Sequence, residues 1–109
     1  MMKLTDEEFD TLTSIVSYMV FNRCQSLNNK MLQPHMNQFC FDCNSSIDDW
    51  KVFLTVGMYY EMNGKGERTV TDARVDYISA TLNDKAVELT DAQMNGLNMV
   101  VDYTVEGSF

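Results

Sequence analysis

The chain has 109 residues, eight basic and sixteen acidic, with a formal net charge of −8 and a hydrophobic share of 45%. That size and composition describe one folded domain with a single core, not a disordered segment. The acid excess excludes the basic footprint that direct phosphate-backbone binding needs, and no apolar run approaches the roughly 18 residues of a membrane span.

The opening stretch, Met1-Met2-Lys3-Leu4-Thr5-Asp6-Glu7-Glu8, turns acidic where a secretory signal carries a basic head and an apolar run. Three cysteines, an odd number, argue against a disulfide framework and for reduced thiols in a cytoplasmic setting.

Thr5 and Glu8 form a capping-box pattern, with Leu4 and Phe9 placed as its hydrophobic staple. Phe9, Leu12, Val16, Met19, Val20 and Leu27 follow at spacings of three and four, which predicts a helix from about residue 6 to about residue 28. Pro34 ends any continuation. Asp6, Glu7, Glu8 and Asp10 occupy the first turns, where the helix dipole favours negative charge.

Residues 30 to 49 read as irregular, with Pro34, His35, Cys40, Cys43 and a polar Asn44-Ser45-Ser46 run. The period then becomes two. Val52, Leu54, Val56, Met58, Tyr60 and Met62 alternate with Lys51, Phe53, Thr55, Gly57, Tyr59 and Glu61, and Asn63-Gly64-Lys65-Gly66 signals a hairpin. A two-residue turn at Gly64-Lys65 would pair Val56 with Ala73, Leu54 with Val75, Thr55 with Arg74 and Glu61 with Arg68. A tighter hairpin at Asn83-Asp84 follows. The parity of Ile78, Ala80 and Leu82 is opposite to that of Val75 and Tyr77, which calls for a bulge near Tyr77-Ile78 or for a second apolar cluster with Phe53 on the reverse face. Thr90 and Gln93 repeat the capping box, Leu89 and Met94 the staple, and Met94, Leu97 and Val101, with Val105 as a candidate fourth member, the stripe of a helix over about 91–103. The expected fold is α+β: an N-terminal helix, a three-stranded antiparallel sheet of two hairpins, and a C-terminal helix packed on that sheet.

Chemistry-bearing residues are sparse. Cys24, His35, Cys40 and Cys43 are enough for a closed tetrahedral Cys3His zinc site, with Cys40-Phe41-Asp42-Cys43 supplying the C-x-x-C. A second close-spaced knuckle is missing, and the competing reading makes the thiols small buried hydrophobes. His35 is the only histidine, and no glycine-framed serine or cysteine accompanies it, so no hydrolytic triad is expected. The expectation is a protein that is not an enzyme.

Binding surfaces are the alternative. Glu88, Asp91, Asp102 and Glu106 all lie beyond Lys85, the last basic residue, and could form an acidic docking face. Phe53 and Tyr59 point away from the helix-covered side of the expected sheet, a second candidate surface that suits a protein partner or a homodimer, with Arg68 or Arg74 lying across the rings as the competing reading.

The run Ala73-Arg74-Val75-Asp76-Tyr77-Ile78-Ser79-Ala80-Thr81-Leu82-Asn83-Asp84, continued by Val87-Glu88-Leu89-Thr90-Asp91-Ala92-Gln93, resembles small accessory proteins of tailed bacteriophages: an alternating strand, a short Asn-containing turn and a Thr-capped terminal helix. The likeness covers about residues 52 to 103. It implies a protein that binds and blocks a host nuclease or defence complex, in the manner of an anti-CRISPR inhibitor, and it carries over no catalytic residue. The expected partner is therefore a host protein with a basic surface, neither nucleic acid nor membrane, with carboxylates standing in for phosphates. The alternatives are the zinc-stabilised module and a self-associating structural protein.

Overall fold

The computed structural model of the chain describes residues 1–27, 37–62, 64–65 and 68–108, with the backbone alone at Met62 and Arg68. The elements run β1 (Met2–Lys3), α1 (Asp6–Leu27), β2 (Gln38–Ile47), β3 (Trp50–Met62), β4 (Arg68–Leu82), β5 (Lys85–Glu88) and α2 (Asp91–Ser108). The strands form one five-stranded sheet in the order β1-β5-β4-β3-β2, in which β1 pairs parallel with β5 and every other pair is antiparallel.

This corrects the three-stranded, two-hairpin sheet expected from the sequence. The stretch read as irregular supplies β2, where Phe39, Phe41 and Cys43 alternate with Cys40, Asp42 and Asn44 and pair with β3 without a break. The β2–β3 turn at Asp48-Asp49 needs a left-handed backbone at Asp48 (φ 52°), a conformation aspartate tolerates through local hydrogen bonding. Strand β1 is too short to carry a periodic signal, and it is recruited by pairing beside β5, Met2 with Val87 and Lys3 with Glu88.

The long hairpin keeps its two strands but changes register. Val56 faces Val75, Met58 faces Ala73 and Glu61 faces Thr69. The pair nearest the turn, Met62 with Arg68, is already one residue off the register of a two-residue turn at Gly64-Lys65, and beyond it β4 carries an extra residue in two places. Asp76 is left over between the pairs Thr55–Tyr77 and Val56–Val75, and Thr71 between Tyr59–Asp72 and Tyr60–Val70. The first bulge restores the parity of Ile78, Ala80 and Leu82, which join Val75 and Ala73 on the inner face. It falls beside the Tyr77-Ile78 step where the sequence calls for one. The next hairpin closes through Asn83 and Asp84, both left-handed (φ 52° and 63°), as a type I′ turn requires.

Both helices cover one face of the sheet. The capping boxes form as read: Thr5 N–H donates to Glu8 (2.9 Å) and Glu8 N–H to the Thr5 hydroxyl (3.1 Å), and Thr90 N–H and Gln93 N–H repeat the exchange at 3.0 and 3.1 Å. The helices start from adjacent parallel strands and run side by side in the same direction. Near their starts Gly96 lies against the Phe9 ring, and near their ends Ser108 is hydrogen-bonded to the Cys24 thiol. Leu12, Val16 and Val20 of α1 and Leu97, Val101 and Val105 of α2 are fully buried between the helices and the inner sheet residues Leu54, Val56 and Met58. Among the described residues, no element covers the opposite sheet face.

Candidate functional site

The thiols separate. Residues three apart on a strand point to opposite faces, so Cys40 is exposed on the open face while Cys43 is buried beneath α1 beside Cys24. Burial pushes both core thiols up to about 11, and the neighbouring Cys24 adds to the rise at Cys43. His35 lies outside the described residues. Among the described residues no three His, Cys, Asp or Glu side chains are grouped to hold a metal ion. The Cys3His zinc reading is thereby corrected: a C-x-x-C on a strand cannot turn both sulfurs to one ion, and the two thiols that do meet are apolar core residues.

The open sheet face keeps its aromatics in pairs. Phe53 packs on Tyr77 (ring centroids 6.1 Å apart, 59° between planes), and Arg74 lies over the Tyr59 ring at 5.5 Å while donating to its hydroxyl at 3.0 Å. Asp76, at the bulge, holds Arg74 from the other side at 3.5 Å and folds over Gly57, where a Cβ would come within 2.5 Å of the carboxylate. Phe53 and Tyr59 therefore sit on one surface, each with a neighbour already in place.

The four acids expected to form a docking face are spread along α2 and its approach. Asp102 accepts from Ala73 N–H (2.9 Å), and Asn98, one turn earlier, accepts from Val75 N–H (2.8 Å). Four residues of helix rise about 6 Å and two of strand about 6.7 Å, so the two side chains match two successive outward donors of β4. They close the part of the β4 edge that β5 does not reach. Asp102 thus has a structural task. Glu106 is exposed in the last turn of α2, about 22 Å from Asp91 in the first. Glu88 and Asp91 instead join Asp6, Glu7, Glu8 and Asp10, because β1 pairs with β5 and brings both helix starts together. Two parallel helix N-termini side by side repel, and this acidic end offsets them.

An opening lies on the outer side of the helical layer. A groove of about 940 Å³ runs between the C-terminal halves of α1 and α2, bordered by Tyr18, Phe21, Met99 and Tyr103 and floored by Thr13, Ser17 and Val100. Tyr103 is 83% exposed, Met99 74%, Tyr18 62% and Phe21 48%, and no lining residue is charged in a chain of net charge −8. Reading the helices for their buried stripes misses these residues. Their signal is the spacing off the stripe: Tyr18 and Phe21 three apart, Met99 and Tyr103 four apart, each pair on one outward face.

No helix of the described residues is long and apolar enough to cross a membrane. No family model, curated protein or solved structure matches the chain.

Proposed function

We propose that the chain is a non-catalytic protein-binding module that docks through the outer face of its helical layer. The observation that carries this reading is the uncharged groove with four large apolar side chains standing exposed around it. Side chains of this kind, two of them tyrosines and one a phenylalanine, are typical anchors of protein interfaces, and their exposure has no folding benefit. The acidic end formed by Asp6, Glu7, Asp10, Glu88 and Asp91 adjoins the groove along the same layer. A partner with a basic surface beside an apolar ridge matches both features, the charge steering the encounter and the groove holding the complex.

The narrower form of the proposal is an inhibitor of a host nucleic-acid-binding or defence complex in a bacterial cytoplasm. It is supported by the net charge and by the phage-type pattern of residues 52–103; three free thiols fit a reducing compartment. Replacing Glu88, Asp91 and Glu106 with glutamine should slow association and flatten its salt dependence while leaving dissociation nearly unchanged, as followed by surface-plasmon kinetics on a captured partner. An unchanged salt slope would remove the electrostatic part of the proposal. Asp102 is left intact in this variant, since its loss would unfasten α2 from β4.

A further inference from the structure

The two long edges of the sheet are treated differently. On β4, outward backbone donors at Ala73 and Val75 are met by Asp102 and Asn98. On β2, ten residues pair with β3 in unbroken register, and among the described residues the opposite edge is met only once, by Arg23 Nε donating to the Asp42 carbonyl at 3.0 Å. That bond shows which way the strand faces. In an antiparallel edge strand alternate residues turn both N–H and C=O away from the neighbour, so Cys40, Asn44 and Ser46 present theirs outward with Asp42. The strand has no lysine, proline or bulge, the usual guards of an exposed edge.

We infer that β2 pairs antiparallel with β2 of a second copy across a two-fold axis at Cys43, joining two five-stranded sheets into one. Three observations select this occupant and this register. The edge is nearly neutral where the chain as a whole is strongly acidic: Asp42 is the only charged residue of β2, and Arg23 stands beside it. Two copies therefore meet here without massed like charge, whereas a two-fold at Asp42 would set carboxylate against carboxylate. An axis at Cys43 sets Asp42 opposite the partner's Asn44 and Cys40 opposite the partner's Ser46 over nearly the whole strand. On the helix side the same register lays Ile47, 37% exposed in the single chain, against Phe39 of the other copy. The Asp42 carbonyl has two lone pairs and keeps Arg23 while accepting the new strand. The axis is perpendicular to the sheet, so both helical layers lie on one side and the assembly is a bivalent binder.

The pairing makes a test that needs no partner. Ser46→Cys places a thiol opposite the natural, exposed Cys40 of the other copy, at the roughly 5.5 Å Cα separation of a hydrogen-bonded pair, within disulfide range. The same two positions within one chain are six residues apart along a strand, about 20 Å, and cannot bridge. In a Cys43→Ala background, which removes the thiol that the axis sets opposite its own copy, mild oxidation of Ser46→Cys should give a covalent dimer through Cys40, absent when Cys40→Ser is added. Asn44→Pro removes an outward donor that β3 does not use, so sedimentation should show loss of the dimer that wild type forms at about 50 μM, a range in which ordinary interfaces are populated. A monomeric wild type at that concentration, or a dimer that neither forms the 40–46 disulfide nor responds to Asn44→Pro, would overturn the inference, the second outcome placing association on the open face or the groove. Should Asn44→Pro fail to fold, the disulfide result decides alone.

Discussion

Thr5 and Thr90 stand at the heads of helices that start side by side, and each satisfies a backbone N–H that water would otherwise have to reach. Thr5→Ala and Thr90→Ala should each cost about 1 kcal/mol in urea unfolding, with Ser in place of Thr restoring most of it. The three thiols differ by position rather than by sequence context. At pH 8 only Cys40 should react quickly with a thiol reagent in the folded protein, while Cys24 and Cys43 wait for unfolding, as mass spectrometry of the labelled chain would show. The same burial has a pH consequence. Both core thiols hold their protons up to about 11 when folded and release them near 9 when unfolded. Their contribution to stability is complete below pH 9 and is lost as the pH rises from 9 through 11. Urea midpoints over that range should fall, and Cys43→Ala should flatten part of the fall.

At the scale of elements, α2 joins the parts. Its inner stripe fills the core through Leu97, Val101 and Val105, its flank closes the β4 edge through Asn98 and Asp102, and its outer face carries Met99 and Tyr103. Leu97→Ala should cost about 3 kcal/mol of unfolding free energy, because no side chain around a fully buried leucine can relax fully into the space. Both helices were legible in the sequence because their caps, staples and stripes agree. The α2 stripe includes Val105, and the helix runs on to Ser108, beyond the expected stop at 103, because neither glycine nor proline stands between Tyr103 and Gly107. The sheet was half legible. Alternation announces β3 and β4, and the parity change at Tyr77-Ile78 announces the bulge. Strand β2 carries the same alternation over Phe39, Phe41 and Cys43, but Asn44-Ser45-Ser46 breaks its apolar half and the C-x-x-C invites a metal reading. The register of the β3–β4 hairpin was not legible, since the pairing at the turn is one residue off that of a two-residue turn and a bulge at Thr71 then adds a residue that no pairing sum reveals. Likewise Asp102 reads as a free surface acid until the β4 edge that needs it is in place.

Across the whole molecule the helical layer is divided. Its N-terminal end gathers carboxylates around two helix starts, and its C-terminal half opens an uncharged groove between exposed aromatic and methionine side chains. The open sheet face, in contrast, has matched its aromatics and charges internally, Phe53 with Tyr77 and Arg74 with Tyr59 and Asp76. A binding reaction that uses the groove and not the sheet face separates these surfaces. The direct measurement is capture of partner protein from a host lysate by wild type, by Met99→Ser/Tyr103→Ser and by Phe53→Ser/Tyr77→Ser, each first shown to fold with wild-type circular dichroism. The proposed function predicts that the first pair of substitutions abolishes capture of a partner that wild type and the second pair both retain. Equal capture by all three, or loss confined to the sheet-face pair, would contradict it.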